Sequence, residues 1–154
     1  MQNNIFNTLK QKYFSTEKRF LGIDYGDVNI GVAVSDVGRQ IASPYAMLKN
    51  KSYKDLFPEI KKIVDEMDVA VIVLGLPLQM NGEEGETAGK VRNFAEKLSE
   101  FIPDVEIVFA DERMTSAMSE KMLIREFDLS RKKRKAILDK VAAAEILQRV
   151  LDAF

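Results

Sequence analysis

The chain contains 154 residues, of which 46% are hydrophobic and 31% are charged, and its formal net charge is −1. This size and composition predict a single soluble globular domain and exclude a disordered or membrane-spanning chain. The sequence has no cysteine and no histidine, which excludes disulfides, thiolate chemistry and imidazole catalysis and suits a cytoplasmic protein.

The first 18 residues follow no clean period and are expected to form an N-terminal arm or a short helix, so that the domain spans residues 19–154. Residues 20–25 alternate as a strand, residues 30–35 form a second strand, and a third strand is predicted at about 40–47. Short polar turns separate the three strands, which predicts an antiparallel meander.

Helices and strands alternate in the rest of the chain. Apolar residues from Leu56 to Met67 recur at helical spacing, with Pro58 tolerable only in the first turns. Residues 69–74 form a continuous apolar run, as expected for a strand covered on both faces. The remaining predicted elements are a loop at 75–85, a helix at 86–101, a strand at 105–110, and helices at about 115–127 and 135–151. This order predicts an α/β fold, a mixed five-stranded sheet with helices on both faces.

Asp24 is the first of three acidic positions that indicate chemistry. It lies near the carboxyl end of the first strand, and alternation puts it on the same face as Gly22 and Gly26. Glycine on both sides leaves room for a ligand or another backbone to approach the carboxylate. Alternatively, Asp24 caps the following turn by accepting hydrogen bonds from the amides after Gly26.

The second position is the pair Asp111 and Glu112, which is followed by Arg113 and comes directly after the strand at 105–110. Ligands of open α/β sheets bind beyond the carboxyl ends of the strands, so two acids and an arginine here predict a site. Arg113 could instead pair with Asp111 in a structural ion pair. Alternation does not decide which acid points inward once the strand has ended.

The third position is Asp139. At about 100° per residue, it shares one helix face with the apolar Ala143 and Ile146, whereas Gln148 and Arg149 belong to the polar face. A carboxylate on an apolar face is costly unless it is paired, hydrogen-bonded or bound to a cation. The alternative is a buried ion pair with a lysine or an arginine.

Convergence of these acids at one edge of the sheet would require a cation, because like charges repel. Mg²⁺ and Mn²⁺ are hard cations that prefer oxygen ligands, and two such ions about 4 Å apart can drive phosphodiester cleavage. This chemistry needs no histidine.

Residues 131–135 are five consecutive basic side chains, which form either a solvated helix start or a phosphate contact.

Four sequence blocks occur in order: GIDYG with IGVAVSD, VLGLPLQMNGEEGE, DERMTS, and RKKRKAILDKVAAAEILQRVLD. Together they resemble the YqgF family, the Holliday-junction-resolvase-like pre-16S rRNA nucleases of bacteria, over about residues 19–152. The resemblance implies a ribonuclease-H-like fold, in agreement with the element order. It also implies a metal-dependent endonuclease that trims the 5′ end of pre-16S rRNA during ribosome maturation.

The same resemblance implies the site residues. Asp24, Glu112 and Asp139 are the expected catalytic acids and would hold Mg²⁺ or Mn²⁺, with Asp111 as the alternative second acid. The loop at 77–82 would border the substrate cleft. The predicted nucleic-acid contacts are Arg113, Lys132, Lys133 and Arg134. The expected partner is structured RNA, with branched DNA as the alternative, and the expected state is a monomer or a weak homodimer.

In one turn the chain departs from the family pattern, and three other functions are alternatives to the nuclease. Family members often carry a basic pair where this chain has Asp27, Val28 and Asn29, which weakens any phosphate contact by that turn. The nearest rival function is resolution of four-way DNA junctions, which requires a stable dimer. An ATP-binding domain of the actin and sugar-kinase type shares the GxDxG strand but works in pairs of domains. A non-catalytic nucleic-acid-binding regulator would use the acids only for structure.

Overall fold

The computed structural model describes the backbone of residues 2–111 and 131–153 and the side chains of residues 5–111 and 140–153. The helices and strands of this part are, in chain order, α1 (Gln2–Lys12), β1 (Arg19–Tyr25), β2 (Asn29–Ser35), β3 (Ala42–Lys49), α2 (Tyr53–Glu66), β4 (Val69–Leu76), α3 (Glu86–Phe101), β5 (Glu106–Asp111) and α4 (Arg131–Leu151). None of the described helices is long and apolar enough to cross a membrane.

Several sequence predictions fall outside the described residues. The helix predicted at 115–127 is one of them. The site residues whose side chains lie outside the described part are Glu112, Arg113, Lys132, Lys133, Arg134 and Asp139. The roles predicted for these side chains therefore stay predictions.

The five described strands form one mixed sheet in the order β3-β2-β1-β4-β5. β1, β2 and β3 pair antiparallel as the predicted meander, and β4 and β5 follow parallel to β1. β1 is the central strand, because Ile23 pairs with Val32 on one side and with Leu74 on the other. The predicted α/β fold with a mixed five-stranded sheet is confirmed.

Helices cover both faces of the sheet, as predicted. On one face α2 and α3 share a core with the sheet that contains Ile23, Ile60, Leu74 and Phe94. On the other face α1 and α4 share a second core that contains Phe6, Phe20, Val73 and Leu147. Because helices lie on both sides, every residue of β4 is buried, which explains its continuous apolar run.

Some element boundaries differ from the predictions. β3 begins at Ala42 instead of about residue 40, because the Asp36 carboxylate binds the two preceding amides, at 2.7 and 3.1 Å. β4 continues to Leu76, where it still pairs with Asp111 of β5. α4 begins at Arg131 instead of residue 135, since lysine and arginine are good helix formers. The basic run therefore lies inside the helix.

The first 18 residues include α1, which packs against the end of α4. Phe6 and Leu9 are each 5% exposed and belong to the second core. Lys10 Nζ donates a 3.1 Å hydrogen bond to the main-chain oxygen of Leu151. The segment predicted as an arm thus shares a core with the rest of the protein.

Arg39 joins the segment after α1 to the turn between β2 and β3. Its side chain is almost fully buried. The guanidinium donates hydrogen bonds to the main-chain oxygens of Phe14, Thr16, Lys18 and Val37. Burial lowers the pKa of Arg39, and the nearby Asp36 carboxylate opposes that shift. One buried cation therefore connects two loops at the amino end of β1.

Candidate active site

Asp24 occupies the carboxyl-terminal part of β1, on the sheet face that α4 covers. Its neighbours Ile23 and Tyr25 belong to or pack against the α2–α3 core. The alternation of a strand therefore places Asp24 on the opposite face, together with Gly22. Asp24 is half-buried, so the position combines a rigid central strand with access from solvent.

The residues beside Asp24 across the sheet have almost no side chain. Asp24 pairs with Gly31 of β2. On the other side the β1–β4 pairing ends with Ile23 and Leu74, and the next residue of β4, Gly75, pairs with Ala110 of β5. The neighbours of Asp24 within the sheet (Gly31, Gly75 and Ala110) therefore have little or no side chain.

α4 contacts β1 closely at Gly22. A Cβ on residue 22 would lie 2.7 Å from the Ala143 carbonyl oxygen and 2.8 Å from the Leu147 Cβ. Real Cβ atoms do not approach backbone this closely, so the contact requires glycine. Gly22 was expected from the sequence to let a ligand or another backbone come close, and the structure shows that the backbone of α4 is what approaches it.

The contacts of α4 also define its direction. Its last turn lies beside α1, Gln148 bonds the main chain at the start of β3, and Ala143 lies over the middle of β1. α4 therefore runs from the carboxyl end of β1 towards its amino end. Position 139 comes one turn, about 5.4 Å, before Ala143, on the side where Asp24 lies. This placement of the backbone favours convergence of Asp139 with Asp24, which stays a prediction.

Asp111 lies on the other face of the sheet from Asp24. It is the last residue of β5 and pairs with Leu76, which belongs to the α2–α3 core, and paired residues of neighbouring strands point to the same face. The Arg149 guanidinium donates a hydrogen bond to the main-chain oxygen of Asp111. The register therefore disfavours Asp111 as the partner of Asp24. It favours Glu112, the next residue, which lies outside the described part.

The β1–β2 turn next to the candidate site is built around Gly26. A Cβ there would lie 2.5 Å from the Asn29 carbonyl oxygen, so this turn requires glycine. The Asn50 amide donates a 2.8 Å hydrogen bond to the Gly26 oxygen. Asp27 pairs with Lys90 of α3 at 3.2 Å, and this hydrogen bond raises the pKa of Lys90. Asp27, which lies where the family pattern predicts a basic pair, therefore forms an ion pair with a lysine of the same protein.

The loop between β4 and α3 forms a hairpin, residues 77–85. Leu78 and Glu84 form a β-bridge, and Gly82 has a φ of 87°, as the last residue of a three-residue hairpin loop requires. The Glu84 carboxylate accepts hydrogen bonds from Arg92 of α3 at 2.5 and 2.7 Å, which lower the pKa of Glu84. Three hydrogen bonds close the tip of the hairpin. The Gln79 amide donates to the Glu83 main-chain oxygen, the Gly82 amide donates to the Gln79 main-chain oxygen, and the Glu83 amide donates to the Asn81 side-chain oxygen.

Sequence reasoning misses the residues that hold these elements together. Helical projection assigns Gln148 and Arg149 only to a polar face, yet they bond β3 and the end of β5. A projection gives the angle of a side chain and not the strand that it reaches. A short polar stretch that contains a glycine, here Gly82, is a sequence signal for such a hairpin loop.

The described side chains supply only part of an acidic site. Among residues 5–111 and 140–153, no three acidic side chains lie close enough to hold a metal ion. Two of the three predicted acids, Glu112 and Asp139, belong to the rest of the chain. The described part provides Asp24, the strand β5 that ends one residue before Glu112, and the helix α4 that contains position 139.

The architecture belongs to the ribonuclease-H-like class. The solved structure of Thermus thermophilus RuvC in complex with a Holliday junction substrate is similar, with a TM-score of 0.52 and 12% sequence identity, over 86% of this chain and 93% of that chain. At this identity the likeness shows the fold alone. It confirms the predicted ribonuclease-H-like fold.

The family model described as "RuvX: Holliday junction resolvase" matches residues 18–153. A relative from Endomicrobium trichonymphae is 52% identical over 134 residues, which cover 87% of this chain and 95% of the relative. A relative from Thermoanaerobacter pseudethanolicus is 43% identical over 135 residues, which cover 88% and 96%. Both carry the name "Putative pre-16S rRNA nuclease". The chain belongs to the RuvX family, and the resemblance to YqgF proteins is confirmed.

Proposed function

We propose that this chain is a divalent-metal-dependent endonuclease that processes the 5′ end of pre-16S rRNA in the cytoplasm. The observation that carries the proposal is the match to relatives with that nuclease name, at up to 52% identity over 95% of the relative. Asp24 at the carboxyl edge of the sheet supports it, because open α/β sheets bind ligands there. The protein would act on structured RNA as a monomer or a weak homodimer.

Asp24, Glu112 and Asp139 would hold Mg²⁺ or Mn²⁺. Carboxylate oxygens are the ligands that these ions prefer, and the sequence has no histidine or cysteine that would favour a softer metal. Mg²⁺ or Mn²⁺ ions, when bound, activate a water molecule and stabilise the leaving oxygen of a phosphodiester.

The protein's own residues would set the geometry of the reaction. Asp24 fixes one carboxylate on the central strand, Glu112 follows the last residue of β5, and Asp139 precedes the Ala143 contact by one turn. Because that contact admits no Cβ at Gly22, it holds α4 at a fixed distance from β1. The carboxylates of helix and strand would thereby keep a fixed separation and orient the scissile phosphate between them.

Arg113, Lys132, Lys133 and Arg134 would bind backbone phosphates of the RNA. Residues 131–134 form the first turn of α4, which contains no acidic residue. Positive charge is unfavourable at a helix amino terminus, because the helix dipole is positive there. An anionic ligand therefore explains the basic turn better than helix stability does.

The test is cleavage of an RNA with the pre-16S 5′ leader, in Mg²⁺, Mn²⁺ or a chelator. Asp24→Asn should lower the rate by at least about 100-fold, because loss of even an outer-shell partner of a metal costs about 10–100-fold. Asp139→Asn should behave in the same way. Asp27→Asn, the same change at a surface ion pair, should stay within about twofold of the wild type. Wild-type cleavage by Asp24→Asn would overturn the proposal.

Resolution of four-way DNA junctions is the second candidate, because the family model carries that description. Symmetric cleavage of a junction needs two active sites, so it requires a stable dimer. Light scattering combined with a junction substrate tests this directly. Junction cleavage by a stable dimer, with the leader RNA left uncut, would favour the resolvase.

Normal 16S maturation in cells that contain only Asp24→Asn would instead indicate a binding protein without catalysis.

A further inference from the structure

Asp24 lies in a part of the central strand that pairs with one described strand instead of two. The ladder between β1 and β2 continues through Asp24 and Tyr25, whereas the ladder between β1 and β4 ends with Ile23 and Leu74. Beyond that level β4 continues beside β5. Among the described strands, β2 alone therefore holds the end of β1 that carries the carboxylate, and side-chain contacts have to fix it further.

Tyr25 provides such a contact on the other face of the sheet. It follows Asp24 in β1, so its side chain points away from that carboxylate and packs against the α2–α3 core. Its ring centroid lies 5.2 Å from that of Phe94, at an interplanar angle of 59°. Phe94 belongs to α3 and is fully buried. This separation is favourable for an aromatic pair, so the Tyr25 ring connects the end of β1 to α3.

Phe94 is itself held by two aromatic residues of α2. Its ring centroid lies 5.8 Å from that of Tyr53 and 5.6 Å from that of Phe57, both edge to face, and Tyr53 stacks on Phe57 at 4.5 Å. Burial raises the pKa of the Tyr53 hydroxyl, and the neighbouring Tyr25 raises it further, so Tyr25 lies beside Tyr53 as well as Phe94. Close packing of this kind leaves few voids, which makes the aromatic group a rigid support for Tyr25.

The second contact between α3 and this region is weaker. Asp27 in the β1–β2 turn forms an ion pair with Lys90, but both side chains are exposed, and exposed pairs contribute little because solvent screens them. The ring of Tyr25 is partly buried and belongs to the residue next to Asp24. Of the two contacts that α3 makes, the one with Tyr25 therefore has the stronger influence on the carboxylate.

The position of Asp24 must be precise if it is to bind a cation. Catalytic groups need to lie within about 0.5 Å of their productive geometry, and loss of an outer-shell partner lowers metal affinity by about 10–100-fold. Because Asp24 and Tyr25 are consecutive residues of one strand, a shift of the Tyr25 main chain moves the Asp24 carboxylate with it.

We propose that Tyr25 is the positioning residue for Asp24: its ring, packed against Phe94, fixes the end of β1 so that the Asp24 carboxylate keeps the orientation in which it binds Mg²⁺ or Mn²⁺. This inference rests on the proposed function. Tyr25 contacts neither the metal nor the RNA in this proposal, since its side chain lies on the other face of the sheet, and it acts through the main chain of β1.

The test measures the binding of Mn²⁺ alone to the full chain, by electron paramagnetic resonance and without RNA. Asp24→Asn identifies the part of the binding that depends on the site. Tyr25→Ala should weaken that binding by about 10-fold or more, whereas Tyr25→Phe, which keeps the ring, should bind like the wild type. Tyr25→Leu keeps an apolar side chain in the core and should lie between them. It replaces the alanine variant if that variant does not fold.

Amide hydrogen exchange gives a second readout that needs no metal. In Tyr25→Ala or Tyr25→Leu the amides of residues 24–26 should exchange faster than in the wild type, relative to residues 20–22 of the same strand. Ile63→Ala is the control, because Ile63 is buried in the same core and lies about 15 Å further along α2 than Tyr53. It should destabilise the fold without changing Mn²⁺ affinity or the exchange at residues 24–26.

Two results would overturn the inference. One is normal Mn²⁺ affinity in Tyr25→Ala and Tyr25→Leu while Asp24→Asn loses the site. The other is an equal loss of affinity in Ile63→Ala, because the stability of the core would then explain the effect. If the wild type binds no Mn²⁺ through Asp24, the proposed metal site fails separately, and unchanged exchange at residues 24–26 would then overturn the role of Tyr25 on its own.

Discussion

Gly22 controls how closely the last helix approaches the central strand. A Cβ at this position would meet the Ala143 carbonyl oxygen at 2.7 Å and the Leu147 Cβ at 2.8 Å, neither of which is a flexible chain end. We expect Gly22→Ala to destabilise the fold by about 1–3 kcal/mol, the usual cost of overpacking a core. Urea unfolding measures the loss. The cleavage rate of the folded fraction should also fall, because α4 carries Asp139.

Gly89→Ala is the matched control for this substitution. Gly89 lies in α3, and a Cβ there would meet nothing within 4 Å. The same change should therefore stabilise the protein by about 0.5–1 kcal/mol, since alanine is the better helix residue. Equal unfolding midpoints for the two variants would contradict the close approach of α4 to β1.

Asp36 makes the turn between β2 and β3 sensitive to acid. Burial tends to raise its pKa, but hydrogen bonds from the Ile41 and Gln40 amides, together with the charge of Arg39, bring the pKa below its ordinary value. A carboxylate with a lowered folded pKa adds stability above its unfolded pKa of about 3.9, and this contribution is lost as the pH falls through the folded pKa.

Asp36→Asn keeps an acceptor oxygen but has no charge to titrate. The unfolding free energy of the wild type should therefore exceed that of the variant by more at pH 6 than at pH 3. Denaturant unfolding of both proteins at the two pH values measures the difference. A difference that grows towards pH 3 would have the wrong sign for a carboxylate stabilised in its charged form.

Single residues show what a pattern can and cannot predict. Alternation puts Asp24 and Gly22 on one face of β1, as found. The choice between Asp111 and Glu112 depends on how β5 pairs with β4, and register is a property of the assembled sheet. Arg149 belongs to the predicted polar face of α4, and only the assembled fold brings the end of β5 within its reach.

α1 is the element whose contribution the family match does not cover, because the match begins at residue 18. Leu9 of α1 is 5% exposed, and Ile5 of the same helix is 53% exposed. We expect Leu9→Ala to destabilise the protein by about 2–5 kcal/mol, the range for a buried leucine. Ile5→Ala should change stability by no more than about 0.5 kcal/mol. Thermal unfolding of the two variants gives the comparison, and equal midpoints would mean that the fold does not need α1.

Elements are predictable from the sequence where local signals agree with the assembled fold. α3 has its predicted bounds, since Gly85 precedes its first turn and Pro103 follows its end. The start of β3 is displaced because Asp36 draws the next amides into a turn, and the apolar pattern carries no trace of that contact. The start of α4 is placed too late because its first turn is basic, and the apolar period begins only afterwards.

For the whole molecule, topology follows from general rules while the convergence of the acids does not. A meander followed by strand–helix units allows few sheet orders, and the observed order β3-β2-β1-β4-β5 is one of them. The distance between helix and sheet depends on close packing at Gly22, which no pattern in either element specifies. The fold is therefore predictable from the sequence, and the acidic metal site is a hypothesis that needs its own test.

The net charge of −1 means that the molecule as a whole does not attract a polyanion, so RNA binding must depend on local positive charge. The triple variant Lys132→Ala, Lys133→Ala, Arg134→Ala should reduce the slope of log affinity against log salt by about 2, since each phosphate contact contributes about 0.7 on single strands. Replacing Lys61 and Lys62, which pair with acids of α2, should leave the slope unchanged. Anisotropy titrations of the leader RNA over a salt series measure both slopes. An unchanged slope in the triple variant would assign the basic turn to a solvated helix start.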